Sequence, residues 1–452
     1  MRARDRLGRL GRTGRTGQLG RLERIGRRLG GRTPIASLLL ALAWAAPASA
    51  EEINAGDTAW MLTSTALVLM MTLPGLALFY GGLVRAKNVL SVFMQCLISG
   101  GMAGVVWVVV GYSLAFGEGN AFIGDLSMAG LSGITPDSVS GTIPTYVFVM
   151  FQGMFAIITP ALMLGAFAER MRFSAYLVFI TIWLLVVYAP LAHMVWGGGF
   201  IGEMGALDFA GGLVVHMSSG YSALVACIFL GPRRGYGDHP MPPHNLVFTV
   251  IGAALLWVGW FGFNAGSELA ADGTAGLAFL TTNTATASAV LVWSAIEWLH
   301  HGKPTVLGAA TAAVAGLVAI TPACAFVAPM GAIWIGLGSA VICYVAVALV
   351  KPALGYDDSL DVFGVHGVGG TWGALATGLF IADFAMPENV SWGQQVVKQL
   401  TSIGITAVFA PAATLVILLL MRAIMGSLRV DDESEAGGLD LSQHSEAAYT
   451  HD

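Results

Sequence analysis

From Asp57 onward the chain is a succession of apolar stretches, each near the length of a bilayer and parted by short polar breaks. Candidate spans lie near 58–80, 89–116, 143–168, 174–194, 211–230, 245–264, 277–300, 305–321, 329–350, 361–381 and 394–422. About twenty apolar residues carry a helix across the roughly 30 Å hydrocarbon core. In lipid the backbone must satisfy its own polar groups, so these are helices and not an open sheet. The expected fold class is an all-α polytopic membrane protein with about eleven transmembrane helices. Small-residue faces such as Gly308–Gly316 let such helices approach closely. Composition agrees: 56% of the 452 residues are hydrophobic and 11% charged, where soluble domains carry roughly 25% charged residues. A soluble enzyme, a nucleic-acid binder and a disordered chain are all disfavoured.

The N-terminus is built differently. Residues 1–32 hold eleven of the 22 Lys and Arg, in low-complexity Arg/Gly sequence. A short apolar run, Ile35–Ala46, and the small residues Ala48-Ser49-Ala50 follow. The run is too short to span. The order matches a basic region, a hydrophobic core and a cleavage site. Residues 1–50 are therefore expected to be a cleavable signal peptide, 51–425 the transmembrane domain and 426–452 a cytoplasmic tail. The alternative for the Arg tract is nucleic-acid or headgroup binding.

The remaining basic residues set the orientation. Arg85 and Lys87 follow the first span, Arg170 and Arg172 the third, Arg233 and Arg234 the fifth. Lys303, Lys351, Arg422 and Arg429 follow the seventh, ninth and eleventh, and only Lys398 falls near the other side. By the positive-inside rule the N-terminus is outside and the C-terminus inside.

Two histidines lie in apolar spans: His216, within Gly211–Gly220, and His366, within Val362–Gly370. A titratable group inside a span is a functional-site hypothesis, because a charge there costs roughly 2.5–3.5 kcal/mol. The alternative is a neutral His bonded between helices. Two such residues, each preceded by an Asp on the same span or its edge (Asp208 and Asp361), tilt the choice towards function. Spans five and ten correspond if the fold is two inverted five-helix halves plus a final helix. No HExxH, HxxEH or GxSxG motif occurs, so an enzyme is not expected, and no cofactor or metal is implied. Cys96, Cys227, Cys324 and Cys343 are assigned to packing.

Aromatics form the other pattern. Phe151 and Phe155 share a helix face, as do Phe263 and Ser267, and Trp196 ends the fourth span beside three glycines. Such a mouth can hold a small cation by cation–π attraction of about 0.5–2 kcal/mol. Taken alone, the aromatics are equally an interfacial belt.

Together these segments resemble the ammonium transporters of the Amt/MEP/Rh family, most closely the bacterial Amt proteins. The resemblance is carried by Phe79–Val89, Gly111–Gly117, Ala192–Gly199, Leu207–Gly212, Gly259–Ser267, Ile320–Ala323 and Asp361–Gly367. It runs from about Asp57 to Tyr449. It implies a homotrimer with one pore per subunit in a bacterial inner membrane, surrounded by lipid, serving nitrogen metabolism. It implies that Phe151, Trp196 and Ser267 recruit ammonium, with Asp208 in support. Phe155 and Phe263 would form the gate, His216 and His366 would line the pore, and Thr321 would lie near the path. Methylammonium would serve as an analogue.

The segment Gly438–Tyr449 resembles the family's tail, which supports block by a PII-type regulatory protein; there a Gly usually follows the His, where this chain has Ser445. An acidic disordered tail is the alternative. For the whole chain, the competing functions are an ammonium sensor signalling through cytoplasmic partners and a conduit for other neutral gases.

Overall fold

A computed structural model describes residues 52–449, so the expected signal segment lies outside the described residues. In chain order the apolar helices are Ala55–Leu83 (α1), Ala86–Phe116 (α2), Thr145–Phe167 (α3), Phe173–Glu203 (α4), Gly212–Leu230 (α5), Leu246–Glu268 (α6) and Gly273–His301 (α7). Val306–Ile320 (α8) and Pro329–Leu354 (α9) follow. Then come α10, formed by Phe363–Gly367 running into Val368–Leu379, and α11, Trp392–Met425. Nine of these, among the described residues, are long and apolar enough to cross a membrane. The exceptions are α8, 15 residues long, and α10. From Ala312 to Ile320 every residue of α8 is buried, so protein and not lipid satisfies its surroundings. A two-residue hairpin, Val139–Ser140 (β1) against Ile143–Pro144 (β2), lies between α2 and α3.

Several helices run past the limits hydropathy sets, because caps and not apolar residues end them. Asp272 accepts the N–H groups of Thr274 and Ala275 and so starts α7. Ser391 and Gln394 form a reciprocal capping box at α11, which is 34 residues long. Gly302, at φ 78°, closes α7. Small residues set the packing. A Cβ on Gly316 would lie 2.8 Å from Ala289 Cβ, and one on Gly262 would lie 2.7 Å from Ser64 O. These contacts bring α8 onto α7 and α6 onto α1. All four cysteines are buried and unpaired.

One end of the bundle is basic and locked by charge. Glu169, between α3 and α4, accepts the backbone N–H of Arg85 at 2.7 Å and its Nε–H at 3.0 Å. Arg233 Nη1 reaches the same carboxylate at 3.1 Å. Arg233 also forks onto Asp357, with Nη2–Oδ1 at 2.8 Å and Nε–Oδ2 at 2.9 Å. The turns after α1, α3, α5 and α9 are thereby joined, which places these helix ends together. Lys398 sits far from them, near Gly205.

The chain after α11 packs against this end. Two short helices, Asp432–Gly437 (α12) and Leu439–His444 (α13), are held in place. Glu435 takes Arg429 Nη2 at 2.6 Å and the Arg234 N–H at 2.6 Å. Asp440 accepts the N–H groups of Ser91 and Leu90, at 2.7 and 3.0 Å, at the start of α2. The tail over 426–449 is thus ordered by its acidic residues, contrary to the disordered alternative. Ser445 adopts φ 58°, ψ 32°, a left-handed conformation that favours glycine.

Burial alone would raise the Glu169 carboxyl, but the Arg233 and Arg85 guanidiniums outweigh it and hold it below the usual range. Its contribution is therefore complete above about pH 4.3, the unfolded value, and is lost as pH falls through the lower folded value. Glu169→Gln is expected to cost about 3–5 kcal/mol near neutrality. Detergent melting curves should show the gap between wild type and variant closing below about pH 4.

Candidate pore and substrate site

The site begins where α5 starts. Asp208 Oδ1 accepts the N–H groups of Gly211 (3.0 Å) and Gly212 (2.5 Å), and Oδ2 those of Leu213 (2.8 Å) and Val214 (3.2 Å). Four first-turn donors that have no helical partner are satisfied by one carboxylate, at the positive end of the helix dipole. Gly211 makes the turn at φ 116°, where a Cβ would strike Val215. Asp208 O also accepts Trp196 Nε1–H at 2.8 Å, so this one residue fixes both α5 and an aromatic of α4.

His216 lies in a π-helical turn, Gly212–Met217, and His366 in another, Phe363–Gly367. Insertions of this kind rotate a side chain out of the α-helical register. The counterpart of Asp208 on α10 is Asp358, not Asp361. Asp358 Oδ2 accepts Phe363 N–H at 2.7 Å, whereas Asp361 Oδ1 holds Lys351 Nζ at 2.6 Å. Each capping Asp stands eight residues before its His (216 − 208 and 366 − 358). That repeat was readable in the sequence.

The two imidazoles meet. Nδ1 of His216 and Nδ1 of His366 are 3.2 Å apart, the rings 5.3 Å apart and tilted 24°. Both are buried. A bond between two Nδ1 atoms requires one to donate and the other to accept, so neutral rings must hold opposite tautomers. His216 Nε2 is buried and has no protein partner. Trp260 stacks on His216 at 5.4 Å, and its Nε1–H donates to Thr321 Oγ1 at 2.8 Å. Thr321 thus touches Trp260, which in turn stacks on the histidine. Sequence reasoning missed Trp260, whose signal was its position in the Gly259–Ser267 segment.

Three spaces follow one another along these residues. The outermost, about 160 Å³, is walled by Phe148, Gln152, Phe155, Trp196, Phe209 and Ser267 among others. Ser267 Oγ donates to Phe263 O at 2.8 Å, leaving its oxygen free to accept. Phe155 and Phe263 close the floor as a stacked pair, 4.2 Å apart. Beneath them a passage of about 10 Å³ carries both histidines between walls that include Leu162, Val215 and Phe263. That is room for about one water-sized molecule. Below His366 a cavity of about 320 Å³ is lined by polar groups that include Glu297, His301, Tyr344 and Asp361.

The structure therefore brings together Trp196, Ser267, Phe155, Phe263, His216 and His366. Phe151 adjoins them: it is fully buried, packed edge-on against Phe155 at 5.1 Å and close against Gly266, the neighbour of Ser267. Phe148, one turn earlier on α3, also lines the cleft and was missed. Gln152 was also missed; its buried Oε1 has no protein partner.

The histidines meet because two glycines let α5 and α10 touch. A Cβ on Gly220 would overlap the Gly367 backbone, and one on Gly370 would lie 3.0 Å from His216 Cβ. Gly220→Ala is expected to cost about 1–3 kcal/mol by overpacking and to impair transport. Gly276→Ala, with nothing near its added Cβ, is the matched control. Thermal melting and uptake of both variants in vesicles check this.

Comparison with known proteins places the chain in a family. Residues 59–449 match the model of the Ammonium Transporter Family. An ammonium transporter of Bacillus subtilis is 50% identical over 401 residues, covering 87% of this chain and 98% of that one. One from Aquifex aeolicus is 45% identical over 432 residues, covering 94% and 99%. The crystal structure of Candida albicans Mep2 superposes with a TM-score of 0.79 at 37% identity, covering 85% and 88%. A structure described as a sensor Amt protein gives 0.81 at 29% identity, covering 86% and 98%. With one family model matched across nearly all the described residues, this chain belongs to the Ammonium Transporter Family.

Proposed function

We propose that the protein recruits ammonium at the outer cleft, removes a proton near the Phe155–Phe263 gate and conducts ammonia past His216 and His366. The observation that carries this reading is the buried Nδ1–Nδ1 contact of 3.2 Å, set in a passage about one molecule wide. Ammonium at neutral pH is mostly protonated and strongly hydrated. The apolar passage offers too few partners to replace that hydration, and burying an unpaired charge is very costly. Neutral ammonia meets a far smaller penalty.

Each part of the site suits one step. Phe148, Phe155, Trp196 and the Ser267 hydroxyl give a cation ring faces and one acceptor. Asp208 supports this cleft by holding Trp196 while its carboxylate is occupied by four N–H groups. The free His216 Nε2 offers a donor or acceptor to a molecule in the passage, and an imidazole pair can relay a proton. Reprotonation then occurs in the polar inner cavity. Potassium has no proton to shed and meets the full dehydration cost.

The basic end of the bundle is the cytoplasmic end in this reading, in a bacterial inner membrane, with residues 1–50 a cleaved signal, 51–425 the transport domain and 426–452 the tail. The unit is a homotrimer that serves nitrogen supply. The docked tail gives a PII-type protein a surface beside the inner cavity; nucleotide-sensitive capture of the protein by its cognate PII tests that. Transport is preferred to sensing because relatives 45–50% identical are described as transporters, whereas the sensor Amt structure is 29% identical.

Replacement of both histidines, His216→Leu with His366→Leu, tests the mechanism. Reconstituted vesicles should lose selective methylammonium and ammonium transport by about a hundredfold, the scale of a lost proton-transfer group. Unchanged currents that still exclude potassium would refute the proton relay.

A further inference from the structure

The outermost helix carries a groove that the transport reading leaves unused. Helix α11 is the least buried of the nine long spans, with 28% of its most apolar stretch covered by protein. At the standard rise its 34 residues reach about 51 Å, well beyond the roughly 30 Å core. Its lower half and one face of α4 enclose a groove of about 530 Å³. Val178, Ile182 and Val186 form one wall at helical spacing, and Ala413, Ile417 and Leu420 the other. The α11 wall extends from Ala412 to Met425. That is about 20 Å of helix, against about 15 Å for one leaflet's share of the core. The groove therefore fits a chain lying in a single leaflet, and every lining residue is apolar.

Its basic end is not apolar. Arg172, which precedes the first turn of α4, donates from Nη2 to Met425 O at 3.0 Å and so ties together the ends of both walls. Its Nε is buried without a protein partner. Arg85 and Arg233 are neutralised by Glu169 and Arg429 by Glu435, while Arg422, one turn before the end of α11, lies over the Phe229 ring at 5.8 Å and does not line the groove. Among the described residues Arg172 forms no ion pair with a carboxylate. An unpaired guanidinium beside a helix N-terminus, at the end of an apolar groove, calls for an anion attached to a hydrocarbon chain.

We propose that the groove between α4 and α11 holds one acyl chain of an anionic phospholipid, whose phosphate rests on Arg172. The residues that contact it lie outside the pore, so the site is separable from conduction. Juxtamembrane basic residues already favour anionic lipids on the cytoplasmic side; here a shaped groove adds a defined position.

The test uses the full-length protein in phosphatidylcholine vesicles that contain a photoactivatable phosphatidic acid, its reactive group within the acyl chain. Peptides from 178–186 and 412–425 should be labelled about tenfold more than by a phosphatidylcholine probe of the same chains, as expected for one charge-assisted contact. Unlabelled phosphatidic acid should compete, and inorganic phosphate should not. Ala413→Trp, which fills the groove, should abolish labelling by both probes. Arg172→Gln should remove the preference but keep chain labelling, and Arg172→Lys should restore most of it. Uptake of methylammonium by each variant verifies its fold. The proposal is overturned if Arg172→Gln keeps the tenfold preference, if Ala413→Trp is labelled like wild type, or if inorganic phosphate competes equally. A change in subunit number on filling the groove would also overturn it, by assigning the face to a second copy.

Discussion

A polar group inside hydrocarbon must find its partner within the protein, and that constraint arranges this molecule. It turns the apolar stretches into helices, then dictates how those helices may be broken. Helix α5 starts within the bundle, where the residues bearing its first N–H groups are buried by protein. Asp208 answers four of them. The same solution recurs with Asp358 at α10. Because both helices can start inside the protein, each brings a π turn and a histidine to the centre. The charged end obeys the same rule. Glu169 is fully enclosed, and it is tolerable there only because two arginines converge on it.

Much of this was legible in the residues. The spans followed from hydropathy, the common basic end from the placement of ten of eleven basic residues, and the histidines from their presence in apolar sequence. What stayed hidden has physical causes. Hydropathy sees the greasy middle of a helix and misses a start set by Asp272 or Ser391. Helical periodicity assumes 3.6 residues per turn, and the π turns that aim His216 and His366 break that period. Phe148 joins the cleft from one turn before Phe151, on a helix so largely apolar and buried that pattern does not single it out. The tail has the composition of a disordered segment. Its order comes from partners such as Asn88, Arg234 and the start of α2, distant in sequence.

The inverted halves, weak in the sequence, gain support from a set of contacts at one offset. His216 and His366 are 150 residues apart and touch through identical atoms. Tyr221 and Thr371 are also 150 apart, and their hydroxyls lie 3.1 Å from each other. Gly220 packs on the turn that holds His366, and Gly370 on the turn that holds His216. Contacts between equivalent positions, with reciprocal partners, are the mark of a two-fold relation between units. A five-helix unit exits on the side opposite its entry, so a second copy must be inverted. The imidazole pair lies at this local axis and is itself nearly symmetric, so it cannot give the pathway a direction. Direction must come from where the halves differ. Asp208 spends its carboxylate on four N–H groups and its carbonyl on Trp196, below an aromatic cleft. Asp358 leaves one oxygen without a protein partner, and the space beyond His366 is larger and carries titratable groups, Glu297, His301 and Asp361. Ring faces line one side and the Glu297 and Asp361 carboxylates are among the groups lining the other, with the same histidines between.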